Sequence, residues 1–343
     1  MINSIFLFFI SFFFLLNFLI FINIDKLIKF FSIYGESKSK LNNKKKKISL
    51  IGGTIIFINV IFYFLFNQIF TIDSFVEQFS KIDFFVLFFI FSLFYITGLY
   101  DDKYKISPLI RIFILGFVVL IALLLNSKIK IFSLRFSFID NTFFLKDFSI
   151  LFTIICFLLF TNALNMFDGI NLQSITYCLI IFLFLLTRSN FIFFIIPIII
   201  SLLFLSILNY KNKIFIGDSG VYLLSSILSY ILIYEYNLQN FIIFADDIFI
   251  LMMIPGLDFI RIFFERLING RHPFLGDKNH IHHLLLKKIG FNKTYLTICL
   301  LYIFPLFFKQ IGVSNFIIII IFTLLYFIIY FKYRNVSKPF NYY

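Results

Sequence analysis

Long apolar runs follow one another along the whole of this chain. Each run of about 17 or more residues can cross the roughly 30 Å hydrocarbon core of a bilayer as a helix. Because backbone groups in lipid must find their partners within the segment, we expect helices and not open sheet. The chain has 343 residues, of which 61% are hydrophobic, and a mean hydropathy of +1.01. We therefore predict an all-α integral membrane protein that forms a single polytopic domain over residues 1–343.

About eleven transmembrane helices can be located from these runs. We expect them near residues 4–24, 48–66, 83–99, 109–126, 148–164, 172–187, 190–208, 219–234, 246–264, 294–309 and 314–331. Lys and Arg are distributed unevenly over the segments between them. About 22 of the 30 basic residues fall in one set, namely 25–47, 100–111, 165–171, 209–218, 265–293 and 332–343. Since cytoplasmic loops are enriched in Lys and Arg, this set is placed in the cytoplasm, with the N-terminus outside and the C-terminus inside.

The net charge of +13 does not indicate a nucleic-acid partner in a chain of this class. The basic residues lie in loops, where they set the topology and meet lipid headgroups or a phosphorylated substrate. On the opposite side of the membrane, the loop 127–147 alternates polar and apolar residues from Lys128 to Phe136. This alternation predicts a short β-hairpin on the outer surface.

Four short polar motifs interrupt the apolar pattern, and all four fall in the cytoplasmic set or at its borders. They are Gly98–Asp102, Asn162–Gly169, Gly217–Gly220 and Asn279–His283. Carboxylates, carboxamides and imidazoles are costly in a bilayer, and they mark functional sites when they occur there. The sequence therefore predicts an active site on the cytoplasmic face.

The first motif ends in two adjacent carboxylates. Asp101 and Asp102 repel each other, so keeping both ionised requires a cation, a basic partner or a bound proton. Lys103, Lys105 and Arg111 are close in sequence. A solvated charged helix end is the alternative interpretation.

The second motif places three polar residues on one helical face. Asn162, Asn165 and Asp168 are spaced by three residues, and the helix is expected to end at Gly169. Their oxygens suit a hard cation such as Mg²⁺, which takes one or two protein ligands and leaves the rest to water and phosphate. Hydrogen bonding between membrane helices would also account for the asparagines.

The third and fourth motifs suit contacts with phosphate. Gly217–Gly220 begins a span after a basic loop, where small residues and free N–H groups favour an anion and Asp218 can hold a metal. The loop 265–293 contains His280, His282 and His283, whose spacing is not that of a zinc site. The guanidinium groups of its arginines, Arg266 and Arg271, can bind phosphate oxygens in bidentate fashion. A solvated basic loop is the alternative. Asp258 and Arg261, three residues apart, are interpreted as a helical ion pair.

Together these motifs resemble the polyprenyl-phosphate N-acetylhexosamine-1-phosphate transferase family, glycosyltransferase family 4. The resemblance extends over roughly residues 45–295 and is carried by Asp-Asp after a span, N-x-x-N-x-x-D-G, G-D-x-G and a histidine loop. The His-Ile-His-His run looks like the branch that uses GlcNAc. Gly52-Gly53 with the nearby Lys47 also matches the family. Asn171 departs from it, since it stands where an acidic residue often reads the nucleotide base.

The resemblance implies a transfer that depends on Mg²⁺, with Mn²⁺ as an alternative. A UDP-N-acetylhexosamine would donate a sugar phosphate to undecaprenyl phosphate at the bacterial inner (cytoplasmic) membrane, and a homodimer is left open. By analogy the catalytic residues are Asp101, Asp102 and Asp168, and the metal ligands are Asn165 and Asp218. The substrate-binding residues by the same analogy are Lys47, Arg111, Asn162, Asn171, Arg266, Arg271, His280, His282 and His283.

Alternatives within the family are a phospho-MurNAc-pentapeptide transferase and a FucNAc- or QuiNAc-1-phosphate transferase. A secondary transporter is the alternative from another class, but its polar residues would lie near the middle of the bilayer on broken helices. A structural membrane protein would have no need of Asn165, Asp168 and Asp218 on one side.

Overall fold

The computed structural model describes residues 2–38, 45–70, 80–270 and 279–334. Most of these residues are helical. The helices are α1 Ile2–Ile22, α2 Ile24–Phe31, α3 Gly52–Phe70, α4 Lys81–Tyr104, α5 Pro108–Leu125, α6 Ser149–Phe167, α7 Gln173–Leu186, α8 Ile192–Tyr210, α9 Gly217–Leu238, α10 Ala245–Ile268, α11 Ile281–Gln310 and α12 Asn315–Tyr333.

Every one of the predicted spans overlaps one of these helices, which confirms the all-α membrane architecture. Within the described ranges, nine helices are long and apolar enough to cross a membrane. The two predicted spans outside this set correspond to α7 and α10. Helix α7 has only 14 residues. Helix α10 carries Asp246, Asp247, Asp258 and Arg261, whose charges lower its hydropathy.

A small β-hairpin that the sequence did not predict precedes α3. Strand β1 (Tyr34–Lys38) pairs antiparallel with β2 (Lys45–Ser49). Ser49 then forms a parallel bridge with Ile214, and its carbonyl accepts a hydrogen bond from Phe215 N at 2.8 Å. The hairpin therefore fixes the start of α3 beside the segment that leads into α9.

The hairpin predicted in the loop 127–147 is present, although its strands begin later than the alternation suggested. Strand β3 (Ser133–Phe136) pairs antiparallel with β4 (Ile139–Phe144). The stretch before it, Ser127–Ile129, forms a 3-10 turn. The hydroxyl of Tyr236 accepts a hydrogen bond from Arg135 N at 2.9 Å, so the hairpin is attached to the end of α9.

Helix α9 lies at the centre of the bundle. Its residues are buried almost continuously from Ser219 to Tyr236, and it packs against α3, α4 and α6. A helix that is apolar on all sides is expected in such a position. The residues at the start of α9 are consequently positioned by three neighbouring helices.

Candidate active site

Glycine residues allow the backbones of three helices to meet at the start of α9. A Cβ on Gly98 of α4 would lie 2.5 Å from Cα of Ser219, and a Cβ on Gly53 of α3 would overlap the backbone nitrogen of Gly220. Only glycine permits backbones to approach so closely. These contacts bring the end of α4, with its two carboxylates, beside the G-D-S-G motif.

Asp102 binds the exposed backbone of that motif. Its Oδ1 accepts a hydrogen bond from Asp218 N at 2.8 Å, and its Oδ2 accepts one from Ser219 N at 3.0 Å. The first N–H groups of a helix have no partner within the helix and favour an anion. The anion at this helix start is therefore Asp102, which corrects the expectation that these N–H groups are free for a substrate. Gly217, with φ of 72°, allows the required turn.

Asp101 is held in a different way, by a tyrosine and an arginine. Its Oδ1 accepts a hydrogen bond from Ile106 N at 2.9 Å, and its Oδ2 accepts one from the Tyr222 hydroxyl at 2.6 Å. Arg111 lies 3.5 Å from the same Oδ2 and donates to the Tyr222 hydroxyl at 2.8 Å. Tyr222 was not predicted, although it stands four residues after Asp218, on the same face of the helix.

The Arg111 guanidinium joins the first motif to the second. Its Nη2 donates a hydrogen bond to Oδ1 of Asn162 at 3.0 Å. The Asn162 amide in turn donates to the carbonyl of Leu158 one turn earlier, at 2.8 Å. Arg111 thus links α5, α6 and α9 beside the Asp101 carboxylate.

Asn165 reaches directly to the third motif. Its Nδ2 donates to Oδ1 of Asp218 at 2.5 Å. That bond leaves the amide oxygen of Asn165 and Oδ2 of Asp218 on adjacent side chains. Asp168 follows at the end of α6, where burial raises the pKa of its carboxyl to about 7 and the negative charge of Asp218 adds to the effect.

These residues fit the donor set of Mg²⁺. Asp101, Asp102, Asp168 and Asp218 bring four carboxylates into one region, where Asp101 is paired with Arg111. Across the described residues, no three His, Cys, Asp or Glu side chains form a ready metal cage. Mg²⁺ characteristically uses one or two protein oxygens and completes its shell with water and phosphate. Asn165 and Asp218 can supply those two oxygens.

The histidine loop meets the Asp168 turn through His282. This side chain is fully buried, and a Cβ on Gly169 would overlap its Nε2 atom. Its Nδ1 lies 3.4 Å from Nε2 of Gln173 at the start of α7. The rings of His282 and His283 are in contact, with centroids 4.3 Å apart. The glycine of N-x-x-N-x-x-D-G therefore accommodates the imidazole of the fourth motif.

The remaining predicted residues lie around this centre. Lys47 is exposed on β2. Asn171 donates to Oδ1 of Asn212 at 2.5 Å and so links the loop after α6 to the loop after α8. Arg266 is buried near the end of α10. Arg271 lies outside the described residues, and its predicted phosphate contact stays a prediction.

Comparison with known proteins agrees with the motifs. Residues 84–235 match the model of glycosyl transferase family 4. This stretch contains the first three polar motifs, the helices α5 to α8 and most of α4 and α9. This part of the chain is therefore similar to glycosyl transferase family 4.

Curated relatives are undecaprenyl-phosphate alpha-N-acetylglucosaminyl 1-phosphate transferases. The Yersinia pestis protein is 29% identical over 259 residues, which cover 70% of this chain and 66% of that protein. The Thermotoga maritima protein is 29% identical over 239 residues, 66% of this chain and 70% of the relative. The Salmonella typhi protein is 26% identical over 202 residues, 56% of this chain. That alignment spans about half of the Salmonella protein, 55% of its length.

Proposed function

We propose that this protein is an enzyme that transfers an N-acetylhexosamine-1-phosphate, with GlcNAc as the first choice of sugar, from a UDP-sugar to undecaprenyl phosphate. The observation that carries the proposal is the hydrogen bond between Asn165 and Asp218. It joins two motifs 53 residues apart in sequence into one oxygen-rich site. The printed names of the relatives support the substrate class.

The reaction exchanges one phosphoanhydride bond for another. An oxygen of the undecaprenyl phosphate attacks the β-phosphorus of the UDP-sugar, the bond to the UMP oxygen breaks, and UMP leaves. The product is a lipid diphosphate sugar, the first intermediate of a cell-envelope polysaccharide. Arg111, oriented by Tyr222 and Asn162, presents a guanidinium that can bind a phosphate in bidentate fashion. Asp101 as the residue that takes the acceptor's proton stays a prediction.

Asn165 and Asp218 would hold Mg²⁺ beside the donor diphosphate. When bound, the cation neutralises charge on the diphosphate and on the leaving UMP. Asp102 keeps Asp218 in place by capping the first turn of α9. The pKa of Asp168, about 7, suits a group that exchanges a proton near neutral pH.

An apolar groove supports a lipid acceptor. A cavity of about 480 Å³ lies between α6, α9 and α10, and its lining is almost entirely apolar. It extends from Phe136 and Phe138 of the outer hairpin to Ala163, which is adjacent in sequence to Asn162. A polyprenyl tail in this groove would carry its phosphate toward Arg111. A transporter is not favoured, because the polar motifs lie at helix ends and not along a central path.

The test is to incubate the purified protein with undecaprenyl phosphate and a panel of UDP-sugars. UMP release is measured, and the lipid product is identified by mass. UDP-GlcNAc is expected to be the best donor, ahead of FucNAc, QuiNAc and MurNAc-pentapeptide donors. Asp218→Asn should abolish UMP release, while Asp140→Asn on the exposed outer hairpin should not change it. Full turnover in excess chelator, or transport of a UDP-sugar without UMP release, would refute the proposal.

A further inference from the structure

A buried charged cluster connects α10, the histidine loop and the last helix. Its members are Asp258 and Arg261 of α10, His280 at the start of α11, and Tyr326 of α12. All four side chains are buried. The sequence predicted only the ion pair within α10, which is present with an N–O distance of 2.8 Å.

The Asp258 carboxylate is the centre of this cluster. Its Oδ1 accepts hydrogen bonds from Arg261 Nη2 at 2.8 Å, from the Tyr326 hydroxyl at 2.7 Å and from Ile281 N at 3.1 Å. Its Oδ2 lies 2.7 Å from Nδ1 of His280. A carboxylate with an arginine partner and this many donors is ionised. Because an ionised carboxylate can only accept, the proton of the last contact lies on Nδ1 of His280.

This arrangement determines which ring atom of His280 can serve a ligand. With Nδ1 committed to Asp258, Nε2 is the ring atom that remains. The loop before the ring is also fixed, because Arg261 Nη2 donates to the carbonyl of Asn279 at 2.8 Å. The His280 ring lies parallel to that of His282, with centroids 5.4 Å apart. His282 in turn packs on Gly169, beside Asp168.

Tyr326 brings the last helix into the same arrangement. Its hydroxyl donates to Asp258 and accepts from Arg261 Nε at 2.9 Å. Tyr330, one turn later, also lies next to Arg261, but its hydroxyl is 3.5 Å from Glu265 and makes no bond to Asp258. Both tyrosines of this helix therefore contact Arg261, but of the two only Tyr326 hydrogen-bonds to the carboxylate that holds His280.

We propose that Asp258, supported by Tyr326, is a positioning residue that holds His280 with Nδ1 protonated and directed at the carboxylate, so that Nε2, which takes up a proton when the anionic nucleotide donor binds, donates a hydrogen bond to a phosphate oxygen. The identity of the ligand rests on the function proposed above. The protonation of the His280 ring does not depend on that function. It makes α12, which lies beyond the 84–235 family match, a part of the donor site. A role in helix packing alone would not fix the tautomer of His280.

The kinetic test compares Tyr326→Phe with Tyr330→Phe. Tyr326→Phe should lower kcat/KM for the UDP-sugar by about tenfold, mainly through KM, by analogy with the outer partners of metal-binding histidines, whose loss costs about 10–100-fold. KM for undecaprenyl phosphate should stay unchanged, and so should both constants in Tyr330→Phe. Asp258→Asn should have a larger effect than Tyr326→Phe. Asp247→Asn, which removes another buried carboxylate of α10, is its control.

The second measurement is independent of activity. The protein is labelled with ¹⁵N-histidine, and the ring signals of His280 are assigned among those of the four histidines by their loss in His280→Gln. These signals should show a proton on Nδ1. Asp258→Asn and Tyr326→Phe should alter that signal, and Tyr330→Phe should not. An Nε2–H tautomer in the wild type, or equal kinetics for the two tyrosine variants, would overturn the inference. A wild type that shows the tautomer but releases no UMP would overturn the proposed function instead.

Discussion

Replacing Tyr222 by phenylalanine isolates the contribution of one hydroxyl to the site. That hydroxyl donates to Asp101 at 2.6 Å and accepts from Arg111 at 2.8 Å. A hydrogen bond to a charged group contributes about 1.5–3 kcal/mol. Arg111 already lies 3.5 Å from Asp101, so in the variant the two can pair directly and recover about one of the two bonds. The expected net loss is therefore about 1.5–3 kcal/mol.

If the Tyr222 hydroxyl orients Arg111 to bind phosphate in the transition state, kcat/KM should fall by at most roughly 10- to 150-fold, the value reached when the whole loss is felt in the transition state. The assay is UMP release with each substrate varied in turn. Tyr230→Phe is the matched control, because that hydroxyl is buried two turns further along α9 and has no hydrogen-bond partner within the described part of the chain. A Tyr222→Phe enzyme with wild-type kcat/KM, or an equal loss in Tyr230→Phe, would refute the reasoning.

Three further changes test other parts of the site. Asp218→Asn keeps the shape of the side chain but removes the charge, so turnover should be lost while the thermal midpoint in detergent is retained; chelation of the wild type should have the same effect, reversed by Mg²⁺. Gly98→Ala places a methyl group 2.5 Å from Cα of Ser219 and should lower stability by about 1–3 kcal/mol, whereas Gly116→Ala, whose nearest neighbour is 3.5 Å away, should not. Because the pKa of Asp168 is about 7, kcat/KM should fall as the pH drops below 7 and the carboxylate gains its proton. A flat pH profile in the wild type would remove Asp168 from the mechanism.

The membrane helices could be predicted from sequence because each span is identified by its own composition. An apolar run needs no partner to show that it can cross a bilayer. Strands β1 and β2 were missed for the opposite reason. Their Lys-rich sequence looks like a solvated charge run, and the hairpin depends on the bridge between Ser49 and Ile214, which are far apart in the chain.

The residue types of the site were predictable, but most of their partners were not. Spacing by three indicated that Asn162 and Asn165 share a face, and the joint assignment of Asn165 and Asp218 to one metal led us to expect those two side chains to lie close together, as they do. The sequence did not indicate the partners of the two carboxylates of the Asp-Asp pair. In the structure one caps a helix and the other binds Tyr222 and Arg111, because α4 ends against the first turn of α9. Such differences come from tertiary contacts and leave no periodic signal.

The glycine contacts at the start of α9 also impose an order on biosynthesis. Asp102 and its backbone donor in α9 are 116 residues apart, which corresponds to roughly 6–23 s of translation. Until α9 inserts, the glycine faces of α3 and α4 have no backbone to meet, and the Asp102 carboxylate lacks the N–H groups that satisfy it. An unpaired charge at that depth is costly. The candidate site is therefore completed late during membrane insertion. A nascent chain that stops before α9 leaves the Asp102 carboxylate at the end of α4 without the backbone N–H groups that it binds in the finished protein.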